Sequence, residues 1–225
     1  MTKNISGINN ENIFKKFVPI KGKITLKKVK KAIKEGANIN KKDEKSGQTL
    51  LHLAFLWDNE DLIELLIKNG AALFLEDKKE KSPLDYAVLY KDLKTIKILI
   101  KNKVYLDSFD RNGRTVLHKV AIKGHIKIAQ LLIEGGANIN SRDNQQMTPL
   151  HLAARFNQEK MIKLLIEKGA NINALSQKKI SPLHLASCYG TKDMVKDFVE
   201  AGAHINAKEE ENNYTPLHLA ILSDD

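Results

Sequence analysis

Five of the seven histidines, His52, His118, His151, His184 and His218, share one local setting, each three residues after a Thr or Ser. Imidazole is the commonest metal ligand and the usual general base near neutral pH, so these rings are the first candidates for chemistry. Neighbours in the series are 33 or 34 residues apart, or twice 33 between His52 and His118. Each therefore falls on a separate helix, and packed helices lie ~8–10 Å apart, too far for several rings to hold one zinc. His184 and Cys188 stand at i and i+4, where a base and a nucleophile would touch on one helix face, but no third group orients the pair. Cys188 is the single cysteine, which excludes a disulfide framework, a Cys-rich zinc module and a CxxC redox pair. No GxxxxGK phosphate loop occurs, because Gly22-Lys23 has Phe17 where the upstream glycine belongs. The sequons Asn4-Ile5-Ser6 and Asn213-Tyr214-Thr215 read as chance in an intracellular chain. No catalytic residue, metal site or cofactor is expected.

The histidines belong to a longer periodic pattern. Thr/Ser-x-Leu-x-x-Ala begins at Thr49, Ser82, Thr148, Ser181 and Thr215, and at Thr115 with Val120 in place of the alanine, giving four steps of 33 and a last step of 34. Gly-Ala or its substitute marks a second series at Gly36, Gly70, Lys103, Gly136, Gly169 and Gly202, with a first step of 34 and then 33 throughout. Two markers on one period imply stacked supersecondary units, each too small to bury its own core.

One unit shows how its parts form. Thr148 is an N-cap residue, and Pro149 at the first helical position loses only an N–H that had no helical partner. Leu150, Ala153 and Ala154 make a short helix that packs closely. Met161–Glu167 forms a second, amphipathic helix, which Gly169 closes by adopting the left-handed turn. Asn171-Ile172-Asn173 then leads through a polar loop to the next cap.

Thr148-Pro149-Leu150-His151-Leu152-Ala153, Ser181–Ala186 and Thr215–Ala220, with the loops Gly136–Asn140, Gly169–Asn173 and Gly202–Asn206, make the chain resemble the ankyrin repeat family. The resemblance covers about residues 24–225. It implies an all-α ankyrin-repeat solenoid of helix-turn-helix units with short β-turn or hairpin fingers, in which the motif histidine makes structural hydrogen bonds between loops. A Lys/Asn-rich segment over 1–23 precedes a degenerate cap over 24–45. Repeats follow near 46–78, 79–111, 112–144, 145–177 and 178–211, then a partial repeat over 212–225. Departures are local: Asp85 replaces the histidine, Val116 the proline, and Lys103-Val104 the Gly-Ala stop. The last half-repeat is either a C-terminal cap or the cut edge of a longer protein.

The chain of 225 residues carries a net charge of +10. The excess lies in residues 1–45 (+9) and 81–180 (+10), while 46–80 and 181–225 are acidic (−4 and −5). Only four arginines stand against 33 lysines, which weakens a nucleic-acid reading because Arg is the better bidentate reader of bases and phosphates. No apolar run approaches the ~18 residues that span a bilayer. An intracellular monomer is expected, cytoplasmic or delivered into a host cell.

Function is then expected on a contact surface. Resemblance to ankyrin proteins implies a concave groove, whose exposed pair follows the motif alanine by two and three residues. The pairs are Leu56 and Trp57, Leu89 and Tyr90, Ile122 and Lys123, Arg155 and Phe156, and Cys188 and Tyr189. Four of the five outer positions are aromatic in a chain with 6% aromatics, the residue types that dominate interface hot spots. Lys78, Lys79, Lys81, Arg111, Arg114, Lys178 and Lys179 lie on the fingertips and make a cationic rim. The expected partner is a protein segment with apolar anchors and acidic flanks, bound by a non-catalytic scaffold or targeting module. The alternatives are the recruiting arm of a longer enzyme or effector and, more weakly, polyanion binding through the Lys-rich blocks to nucleic acid or acidic membrane.

Overall fold

The computed structural model describes residues 26–90 and 92–223, and the segment expected over 1–23 lies outside them. Internal contacts divide the chain into two compact units, Met1–Val104 and Tyr105–Asp225. In the first, α1 (Leu26–Lys34) precedes two helix pairs, α2 (Leu50–Leu56) with α3 (Glu60–Lys68) and α4 (Pro83–Leu89) with α5 (Leu93–Lys101). The second holds α6 (Val116–Lys123) with α7 (Ile126–Glu134), α8 (Pro149–Arg155) with α9 (Glu159–Glu167), α10 (Pro182–Tyr189) with α11 (Lys192–Glu200), and then α12 (Pro216–Ser223).

Within each unit the motif helices pack on one another, α2 on α4 and α6 on α8, α10 and α12 in turn. The second helices pack likewise, α3 on α5 and α7 on α9 and α11, giving two helical layers. Small residues allow the close approach: Ala54 and Ala87 in the first unit and Ala121, Ala153 and Ala186 in the second are fully buried. Leu62, Leu66, Ile96 and Leu99 fill the first core, and Leu117, Leu132, Leu150, Met161, Leu165 and Phe198 the second. Among the described residues no helix is long and apolar enough to cross a membrane, and the extended structure is limited to one isolated bridge, Phe109 to Thr115.

The second helices stop as the sequence predicts. Gly169 takes φ +84°, and the Ala170 N–H returns to the Leu165 carbonyl at 2.9 Å. Lys103 is held in the same left-handed turn at φ 57°, with the Val104 N–H on Leu99 at 3.1 Å. A side chain costs about 1 kcal/mol there relative to glycine. Lys103→Gly is therefore expected to raise the urea midpoint of the first unit by an amount equivalent to about 1 kcal/mol. An unchanged midpoint would show that the turn is unstrained.

Candidate interaction surface

The motif histidines hold neighbouring repeats together. His52 Nδ1 accepts the Thr49 N–H at 3.0 Å, and its Nε2 lies 3.0 Å from the Lys81 carbonyl of the next finger. Because a backbone N–H can only donate, Nδ1 must be bare and Nε2 must carry the proton, so the ring is neutral and donates forward. In the second unit His118, His151 and His184 repeat this, reaching Met147 (3.1 Å), Ile180 (3.0 Å) and Tyr214 (3.2 Å). Burial disfavours the charged ring, lowering the pKa of all four and taking His151 to about 4. Both nitrogens of each are occupied, so His184 is not poised as a base for Cys188.

A second series escaped the sequence reading: an acid at the root of every finger but one. Asp77, Asp110 and Asp143 each accept two finger N–H groups on one oxygen, at 2.8–3.1 Å. Ser176 takes the place of the acid in one finger, its hydroxyl accepting the Ile180 N–H at 3.2 Å. The first and last fingers are one residue longer, and the bond network stretches to match. Ser46 relays from Asp43 to the Gln48 N–H, and Glu209, with its extra methylene, accepts from Glu211, Asn212 and Tyr214. The 33-residue spacing of Asp77, Asp110 and Asp143 was the available signal. In the first unit Asp77 also accepts the Tyr86 hydroxyl at 2.7 Å, and burial together with that carboxylate pushes Tyr86 up to about 12.

On this frame the expected contact residues fall at the C-terminal ends of the motif helices. Trp57, Tyr90 and Phe156 are the C-cap residues of α2, α4 and α8, and Tyr189 ends α10. Asp58 and Asn157, the next residues after Trp57 and Phe156, take the left-handed conformation that turns the chain away. In the first unit Tyr90 is 50% exposed beside exposed Leu56 and Leu89, and Trp57 is half-buried. Tyr90 stacks on Tyr86 with centroids 6.5 Å apart. In the second unit Phe156 is 45% and Tyr189 52% exposed, beside exposed Lys123 and Arg155.

The finger cations divide differently. Arg114 lies 3.4 Å from Asp143, Lys179 lies 3.8 Å from Glu210, and Lys178 pairs with Glu211. In the first unit the Lys78 ammonium donates to the Glu44 carbonyl at 2.6 Å, while Lys79 and Lys81 are exposed and tie to Asp77 through their backbone. Arg111 is exposed, and its carbonyl accepts from Asn144 at 2.9 Å. These finger-to-finger partners lie 29 to 34 residues apart, which is why charge counting along the chain did not pair them.

Models for ankyrin repeats match residues 20–110, 104–176 and 165–220. Two mouse proteins are similar over shorter stretches. The Inhibitor of Bruton tyrosine kinase is 38% identical over 53 residues, which is 24% of this chain and 4% of that protein. Ankyrin repeat and SOCS box protein 6 is 41% identical over 54 residues, 24% of this chain and 13% of that protein. This chain thus spans well under two thirds of either relative. With one pattern of cap, histidine bond, stop and finger running beneath the matched residues, the chain belongs to the ankyrin repeat family.

Proposed function

We propose that the chain is a non-catalytic module for protein–protein recognition, a scaffold or targeting element, that holds its partner on the exposed ends of its motif helices. Ankyrin repeats are generally protein-interaction modules. One observation supports the finer reading: Tyr90, Phe156 and Tyr189 recur at one place in the repeat and keep about half their surface in water. Aromatic rings with a wet face are the groups that contribute most when a partner covers them. The partner is a protein segment with apolar anchors, and the finger loops line its path. The module itself contributes recognition and not bond chemistry. A second reading, the recruiting arm of a longer protein, draws support from the relatives, of which the matched stretch is only 4% and 13%.

The test is affinity capture with mass spectrometry on wild type, Trp57→Ala and Phe156→Ala, followed by titration of the partner recovered. Each substitution is expected to weaken binding by about 2 kcal/mol, roughly thirtyfold, with unchanged helicity. Full affinity in both variants would remove the motif-helix ends from the binding surface.

A further inference from the structure

The second unit carries cations on its fingers, on the exposed sides of its second helices and at the ends of its motif helices. Those on the fingers are largely matched within the protein, Arg114 by Asp143, Lys179 by Glu210 and Lys178 by Glu211. Lys123 and Arg155 are different. They are the last residues of α6 and α8, two helices packed side by side, and both are exposed. Among the described residues neither meets a carboxylate within ion-pair distance. The negative ends of their helices favour the charges but do not neutralise them. Phe156 directly follows Arg155, and α10, which packs on α8, presents Tyr189. The equivalent places in the first unit, Leu56, Trp57, Leu89 and Tyr90, carry no charge.

We propose that this face of the second unit recognises an anionic side chain set beside an apolar one on a partner peptide, with Lys123 and Arg155 as the anion contacts and Phe156 and Tyr189 as the apolar contacts. The inference rests on the reading that the motif-helix ends bind the partner, and it moves the anion contacts from the finger rim to the helix ends. Arg155 directly precedes Phe156, and Lys123 ends the helix packed on α8, so a segment bound over these helix ends excludes water and strengthens the pairing. Arg155 offers a planar fork to a carboxylate or a phosphate, and Lys123 a point charge. Either anion meets the requirement, and exposed cations make the affinity dependent on salt.

The experiment selects binders to the full chain from a displayed library of random twelve-residue peptides. The best are remade with Glu, phosphoserine or Gln at the enriched position. Selected peptides should place Asp or Glu next to an aromatic or aliphatic residue, and Glu or phosphoserine should bind at least tenfold more tightly than Gln. A preference for one of the two identifies the anion as carboxylate or phosphate. The pair Lys123→Glu with Arg155→Glu should weaken binding at least tenfold, and Lys123→Gln with Arg155→Gln by less. Lys127→Glu with Lys160→Glu, the same charge change on exposed sites of α7 and α9, should stay within twofold. Peptides without acidic bias, or equal binding of the Gln and Glu forms, overturn the inference; if Phe156→Ala still abolishes binding, the motif-helix reading survives. Binding insensitive to Phe156→Ala and to both charge reversals, or no binder above background, counts against both.

Discussion

Stability should fall steeply as the pH is lowered from about 6.5 to 4. The four buried motif histidines are held neutral by a backbone N–H on Nδ1, and a proton placed there would face that donor. Their folded pKa values are all lowered by burial, His151 to about 4 from 6.5. Above 6.5 both folded and unfolded rings are neutral and the pH has no effect through them. Below it the unfolded chain takes up protons that the folded chain refuses, so stability is lost through the window down to the folded value. His151 alone accounts for a swing on the order of 3 kcal/mol. The charged neighbours are mixed: Asp77 and Lys42 near His52, Asp143, Arg114 and Asp110 near His118, Arg142 and Asp143 near His151, and Glu209 near His184. Asp43 and Asp77 have lowered pKa values, so their contribution is present above the ordinary carboxylate value of 3.8 and is lost only below it. Urea midpoints at pH 7, 5.5 and 4.5 check this, and equal midpoints would refute it.

His151→Ala should cost about 3 kcal/mol, because it leaves a cavity and strands the buried Thr148 N–H and the half-buried Ile180 carbonyl. His218→Ala should cost under about 0.5 kcal/mol, since that ring is exposed and its contacts are the local Thr215 bond and a stack on Tyr214. Thermal melts of the two variants in metal-free buffer give the comparison. A chelator should leave the wild-type melt unchanged, and a fall on adding EDTA would point to a bound metal instead.

Period and end signals made the architecture legible. Pro149, Pro182 and Pro216 open helices, and Gly136, Gly169 and Gly202 follow the second helix of their repeats in the left-handed region. The positions of Tyr90, Phe156 and Tyr189 are what the resemblance to ankyrin proteins implies, carried along the chain by the same period. What the sequence hid were bonds decided by side-chain reach between fingers. Lys178 and Glu211 look like parts of unrelated charge runs, and only stacking brings them together. The acids at Asp77, Asp110 and Asp143 were passed over because charged loop residues read as solvated, although their oxygens tie down the finger backbone.

The fingers also bear on how such a chain can change length. The Asn144 N–H bonds to Asn112, Gln177 to Gln145 and Glu210 to Lys178, each time 32 residues back. Every junction in the second unit thus uses the same coordinates along the chain. Duplication or loss of one whole repeat regenerates the full set of junction bonds, whereas an extra residue inside a helix turns the residues that follow it in that helix off their packed face. The tolerant place is the finger tip, and the extra residue in the Asp43–Thr49 and Glu209–Thr215 loops shows that this tolerance is already in use. Inherited variation should therefore accumulate as whole repeats or as single residues at the tips, and a tip is the place to graft a foreign loop.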